Sequence, residues 1–169
     1  MDEAHVSVRA LGASDGRAAV MVINTAAEWY GEFLAPSEVE EPEMTLESWQ
    51  EEARRMTWYG AFEGVDLVGV MGLEFAGDAV LFRHAYVLPD CQRHGVASVL
   101  HDHLERQVRG VDRIIVGTYA ANFRARGALE KAGYRPSLYP EAVLRRYYEI
   151  PEDRLKSSVT YEKQLDGDR

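Results

Sequence analysis

The chain has 169 residues, with 19 Lys and Arg against 28 Asp and Glu, a formal net charge of −9, and 46% hydrophobic residues. This length and balance predict a single domain over residues 1–169 with a sizeable core, and the acidic charge argues against nucleic acid or an anionic membrane as partner while suiting a cationic amine. No apolar run approaches about 18 residues, Met1-Asp2-Glu3 is an acidic start, and Cys91 is the only cysteine; a cytoplasmic protein with no membrane span, secretory signal, disulfide or thiolate zinc site is expected.

Taken in chain order, His5 to Leu11 alternates and predicts a first strand. Ser14 is placed to cap a helix reaching about Tyr30, with Ala19, Ile23, Ala26 and Tyr30 at helical spacing. A loop follows that carries Glu32, Glu38, Glu40, Glu41 and Glu43. A solvated acidic surface is the plain reading, and attraction for a polyamine or basic peptide the functional one. Thr45 then caps a second helix with Leu46, Trp49, Ala53 and Met56 on one face.

Thr57 to Glu63 and Leu67 to Phe75 predict two strands joined through Gly64-Val65-Asp66. Glu74 interrupts the apolar run of the second. Asp78 turns the chain into a fourth strand, Ala79 to Leu88, in which His84 alternates with Phe82 and Tyr86 and is expected to share their face. Pro89 ends that strand. A short polar loop with Gly95 leads into a helix from Val96 to about Arg109, whose Leu100, Leu104 and Val108 face a core. A loop opening a helix presents unpaired N–H groups and the positive end of the helix dipole, a natural seat for a diphosphate. His101 and His103, two apart on this helix, point to different faces and make no metal site.

Arg113 to Thr118 is the fifth strand, joined to the fourth by a parallel crossover. Asn122 is placed to cap a fourth helix that Gly133 terminates. Tyr134 to Leu138 reads as a strand and Glu141 to Tyr148 as a helix stopped by Pro151. Ser157 to Lys163 alternates as the last strand.

The spacing Gln92-x-x-Gly95-x-Ala97 resembles the coenzyme A pyrophosphate loop of the GNAT (general N-acetyltransferase) superfamily. The segment Asn122-x-x-Ala125-x-x-Ala128-Leu129-Glu130-Lys131-Ala132-Gly133-Tyr134 resembles that superfamily's Asn-x-x-Ala…Tyr-Glu-Lys-x-Gly-Phe helix. Together they cover about Ala79 to Tyr139. The resemblance implies an α/β fold with a mixed, mostly antiparallel sheet, a parallel but splayed pair of strands four and five, and helices on both faces. It implies acetyl-CoA as cosubstrate without a metal, and a primary amine as acceptor, attacking directly in a ternary complex. The coenzyme would meet Gln92, Arg93, His94, Gly95, Val96, Ala97 and Ser98 at its diphosphate, Asn122 along its pantetheine arm, and backbone groups of Tyr86, Val87 and Leu88 near the thioester, where one N–H would polarise the carbonyl.

The chain departs from the family at two places. Leu129 stands where a tyrosine often protonates the leaving thiolate. Tyr119 is the first substitute, followed by Tyr147 and Tyr148. Leu81 stands where a glutamate is frequent, which leaves Glu74 and His84 as candidate bases. Each candidate also has a structural reading: a packed tyrosine, a solvated strand end, a hydrogen-bonded core histidine. A non-catalytic acyl-CoA-binding regulatory module is the alternative function, a structural domain with a vestigial site is a third, and a homodimer is left open.

Overall fold

The computed structural model describes residues 5–32 and 34–166, so Met1-Asp2-Glu3 lies outside the described residues. Strands β1 (Val6–Ala10), β2 (Thr57–Glu63), β3 (Asp66–Ala76) and β4 (Ala79–Val87) pair antiparallel in succession. Strand β5 (Arg113–Tyr119) lies parallel to β4, and β7 (Ser158–Gln164) lies antiparallel to β5 with the short β6 (Arg135–Pro136) outside it. The sheet order is β1-β2-β3-β4-β5-β7-β6. This is the expected mixed, mostly antiparallel GNAT-like sheet with one parallel pair.

Helices cover both faces. On one side α3 (Val96–Gln107) and α4 (Phe123–Lys131) pack Leu100, Leu104 and Leu129 against Val80, Phe82 and Ile114. On the other, α1 (Gly16–Ala27) and α2 (Leu46–Glu52) bury Ile23 and Trp49 with Trp58, Val70 and Tyr86. The helix α5 (Pro140–Tyr147) covers Leu81 and Ile115 on that second side. Gly69 sets how closely α3 approaches: a Cβ there would stand 2.9 Å from Val96 Cγ1 and 3.2 Å from Leu100 Cδ1. Its absence lets the first turn of α3 lie directly on β3.

The β4/β5 pairing is short. It joins Val80, Leu81 and Phe82 to Ile114, Ile115 and Val116 and then stops. The cause lies on the other edge of β4, where the register with β3 jumps from Val70↔Tyr86 to Gly72↔Arg83. Two residues, His84 and Ala85, thus oppose the single Met71, and His84 takes a left-handed φ of +54°. Such a bulge bends and twists its strand, which steers β4 away from β5. It also reverses the alternation. Phe82 packs on the α3 side, but Tyr86 packs on the α1 side, and the His84 ring lies 5.4 Å from Trp58. The expected shared face of Phe82, His84 and Tyr86 is thereby corrected.

Four further boundaries differ from expectation. Ser14 is not the cap of the first helix. A tight turn over Ala13–Asp15 precedes α1, and the Asp15 carboxylate closes it by accepting the Gly12 N–H at 2.8 Å. α1 then ends at Ala27 and gives way to a 3₁₀ turn over Glu28–Glu32, so Tyr30 lies beyond it. The strand expected over Tyr134 to Leu138 is only two residues long, β6 at Arg135–Pro136, with one further bond to β7 from Ser137 N–H to Thr160 C=O at 2.9 Å. Pro151 marks a beginning as well as an end: α6 (Glu152–Leu155) starts directly after it. By contrast Thr45 caps α2 as expected, accepting the Ser48 N–H at 3.1 Å, and Asn122 caps α4, accepting that of Ala125 at 3.1 Å. Among the described residues no helix is long and apolar enough to cross a membrane.

Candidate active site

Where β4 and β5 part, a cleft of about 610 Å³ opens, floored by the two strands and walled by α3, α4 and the chain's tail. Its first end is built by the loop before α3. Gly95 is the N-cap of α3, at φ +74° and ψ +14°, a left-handed conformation that L side chains resist. Val99 donates to Gly95 C=O at 3.1 Å, the first bond of the helix. The N–H groups of Val96, Ala97 and Ser98 come before it and have no partner inside the helix. Ala97 and Ser98 line the cleft, while Gln92, Arg93 and His94 line an adjoining depression with Arg124. The sequence reading missed Arg124. It donates to Gln92 Oε1 at 2.6 Å and lies over the Trp29 ring at 5.2 Å, which places a second cation beside the loop. Its only sequence signal was a position in the first turn after Asn122.

The three backbone candidates at the end of β4 are not equivalent. Leu88 donates its N–H to Val68 C=O at 2.9 Å and accepts from Cys91 N–H at 2.9 Å, so it is corrected as a free donor. Antiparallel ladders alternate their bonds from one residue to the next. With Leu88 bonded to Val68, the Gly69↔Val87 pair is a non-bonded one, and the Val87 N–H turns away from β3 toward the splay. Val87 C=O meets Gln92 Nε2 at 3.4 Å. Tyr86 contributes a side chain to the cleft: its hydroxyl donates to Glu43 Oε1 at 3.2 Å. Asn122 lines the cleft while its Oδ1 caps α4.

The far end of the cleft is a polar and aromatic chamber. His84 lines it, with Nε2 2.6 Å from Glu52 Oε2 in an ion-pair contact, and both atoms are buried without a hydrogen bond of good geometry. Burial pushes the Glu52 carboxyl up, but His84, Arg83 and Arg55 outweigh it and hold it below the usual carboxylate range. Glu74 is elsewhere: its Oε2 accepts from Arg83 Nη1 at 2.9 Å, Arg55 stands 3.9 Å from its other oxygen, and it does not line the cleft. Glu52, at the end of α2, is the carboxylate that reaches the place expected for Glu74.

Tyr119 lines the chamber at the end of β5, edge-on to Tyr30 at a centroid distance of 5.1 Å. Burial pushes its hydroxyl up to about 12, with Arg154 opposing and Glu43, Glu40 and Glu38 adding to the rise. Tyr148 also lines the cleft, its hydroxyl 3.4 Å from Ile115 C=O and pushed up by burial. Tyr147 points away, donating to Asp78 Oδ1 at 2.6 Å. The acidic loop is held over the chamber. Arg154 on α6 donates to Glu38 C=O at 2.7 Å and stands 3.8 Å from Glu40 and 4.0 Å from Glu43. Burial pushes the Glu43 carboxyl up, against the opposing pull of Arg154 and Tyr86.

Comparison with known proteins is consistent with this arrangement. A model of the acetyltransferase (GNAT) family matches residues 23–134, more than half of the chain. No curated protein matches the sequence. Among solved structures, the PaiA N-acetyltransferase from Thermoplasma acidophilum, in complex with coenzyme A, superposes with a TM-score of 0.76 at 16% identity over 95% of this chain and 99% of that one. The ribosomal-protein-S18-alanine N-acetyltransferase from Escherichia coli gives 0.70 at 16% identity, covering 95% and 94%. An acetyltransferase from Streptococcus agalactiae gives 0.74 at 16%, covering 95% and 98%. At such identities the likeness is one of fold.

Proposed function

The chain belongs to the GNAT acetyltransferase family, and we propose that this protein, as a single domain, moves the acetyl group of acetyl-CoA to a primary amine by direct attack in a ternary complex. The observation that carries the reading is the parting of β4 from β5 beyond Phe82 and Val116, with a helix N-terminus at one mouth of the cleft and titratable groups at the other. The unpaired N–H groups of Val96, Ala97 and Ser98 take the diphosphate, and Arg93 and Arg124 offset its charge. The Val87 N–H donates to the thioester oxygen and holds the negative charge that develops there.

An amine titrating near 10 must lose a proton before it attacks. His84 takes it. Glu52, 2.6 Å from Nε2, orients the ring and stabilises the imidazolium, leaving Nδ1 as the proton acceptor. The amine nitrogen bonds to the carbonyl carbon, the C–S bond breaks, and the electron pair leaves on sulfur. A coenzyme thiol, with a pKa near that of cysteine at about 8.5, is a tolerable leaving group, so Leu129 in the usual tyrosine position is no bar. Tyr119, which keeps its proton well above neutral pH, donates to the thiolate, and the second proton of the attacking nitrogen, shed as the amide forms, restores the Tyr119 phenol. The half-buried Glu43 and the exposed Glu40 beside it favour an acceptor that arrives as a cation.

The test is acetyl-CoA turnover against a panel of small amines, diamines and peptides with free N-termini, following thiol release and product mass together. One thiol released per acetylated amine is expected, with initial-rate lines that intersect. Parallel lines and an acetylated enzyme isolated without acceptor would refute direct attack.

A further inference from the structure

Beneath the phosphate loop, three side chains that take no part in the proposed proton and acyl transfers converge. Glu63 ends β2, Cys91 closes the turn after β4, and His94 follows three residues later in Cys91-Gln92-Arg93-His94. That turn is fixed by its own backbone: the His94 N–H donates to Cys91 C=O at 3.1 Å. One ligand atom from each of Glu63, Cys91 and His94 lies within 4.8 Å of the other two, and His94 Nδ1 already stands 2.7 Å from Glu63 Oε1. Cys91 is buried, Glu63 is half-buried and His94 is exposed, so the site is open on one side.

We propose that Glu63, Cys91 and His94 form a binding site for a zinc-like divalent cation, one that ties the β2–β3 hairpin to the phosphate loop. The donor set selects the metal. Thiolate and imidazole favour the later first-row cations, whereas magnesium and calcium take oxygen ligands. Tetrahedral zinc with bonds of about 2.0–2.3 Å sets its ligand atoms about 3.4–3.6 Å apart. Glu63 Oε1 and His94 Nδ1, at 2.7 Å, stand closer than that, the remaining separations lie within 4.8 Å, and the exposed His94 ring is free of a tight core that would fix its position. Binding releases the Cys91 S–H proton to solvent. One thiolate, one carboxylate and a neutral imidazole then balance the two positive charges, and the fourth position is left to water. The competing explanation is a plain His94–Glu63 pair beside an inert buried thiol, and it makes no use of the sulfur. The site depends on these three side chains and not on what the loop binds.

The full-length protein, stripped with a chelator, is equilibrated with buffered zinc and its bound metal counted, with cobalt as a spectroscopic substitute. About one zinc per chain is expected. Cys91→Ser, His94→Ala and Glu63→Gln should each weaken retention by at least the roughly 10–100-fold that loss of an outer-shell partner alone costs. Cobalt should give a thiolate-to-metal charge-transfer band that Cys91→Ser abolishes. If Cys91→Ser does not fold, the band in the wild type and its loss of intensity in His94→Ala decide the matter. Absence of zinc retention in the wild type, retention unchanged in the variants, or bound cobalt without the thiolate band would overturn the site.

Discussion

Substitutions at Gly95 can separate the geometry of the phosphate loop from its charge. The residue sits at φ +74°, and a Cβ built there meets nothing within 4 Å. Any penalty is therefore conformational, about 1–2 kcal/mol for an ordinary L residue in the left-handed region. Asn and Asp tolerate that region best, so Gly95→Asn and Gly95→Asp form a matched pair differing by one charge. That charge acts in opposite directions on two measurable quantities. At the N-terminus of α3 a carboxylate stabilises the helix by about 0.3–1 kcal/mol, so the Asp variant should melt no lower than the Asn variant. Against a bound diphosphate, however, each like charge about 4 Å away opposes it by about 1 kcal/mol in water and about 4 kcal/mol at an effective dielectric constant of 20. Gly95→Asp should then bind acetyl-CoA between about 5-fold and 10³-fold more weakly than Gly95→Asn. The gap should narrow as salt rises. Titration calorimetry at low and high salt, with melting curves on the same samples, measures both quantities. Equal affinity in the two variants would refute the assignment of the diphosphate to this turn.

Other outcomes follow from the far end of the cleft and from the core. Tyr119→Phe should lower kcat and kcat/KM together, near the lower limit of the roughly 10²–10⁴-fold typical of general-acid help because the leaving thiol is already acidic, with acetyl-CoA affinity unchanged by calorimetry. His84→Asn keeps a residue that tolerates the φ of +54° and removes the proposed base, so the fold should survive by circular dichroism while kcat falls about 10²–10⁴-fold. Glu105, although burial pushes it up, is held down to about 2 by His101, Lys163 and Tyr134. Being depressed, it contributes stability that is full above the ordinary carboxylate value near 4.3 and is lost as pH falls toward 2. Glu105→Gln should therefore cost about 1–2 kcal/mol at pH 7 after allowance for solvent screening, with the difference from wild type closing between about pH 4 and pH 2 in urea titrations. A difference that did not change with pH would assign the loss to packing.

The loop before α3 and the cap of α4 were legible in the sequence because their geometry is local. A left-handed Gly95 opening α3, and an Asn122 that accepts the Ala125 N–H three residues on, are decided within a few residues of chain. The order of strands and helices was legible for the same reason, through alternation and caps. Within that local grammar the misreadings came where two nearby groups compete. Asp15, and not Ser14, closes the turn before α1.

The acceptor side was not legible, because each of its features depends on an event that periodicity assumes away. Strict alternation along β4 puts Phe82, His84 and Tyr86 on one face. The residue inserted opposite Met71 moves Tyr86 to the other, since the side-chain period of two turns any single-residue shift into a change of face. That same inserted residue bends β4 from β5, opens the cleft, and brings His84 to within 2.6 Å of Glu52, a carboxylate 32 positions earlier in the chain. Glu74, nearer in sequence and on the adjacent strand, is taken by Arg83 instead. Pro151 repeats the lesson at the tail. Read as a stop, it is where α6 begins, and α6 carries Arg154 across to the Glu38 carbonyl, 116 residues away in sequence. The acidic loop is thereby held in place by the tail. Arg154 draws Glu40 and Glu43 over the chamber that contains Tyr119, so the negative charge at that end of the cleft is set by a contact between segments more than 100 residues apart.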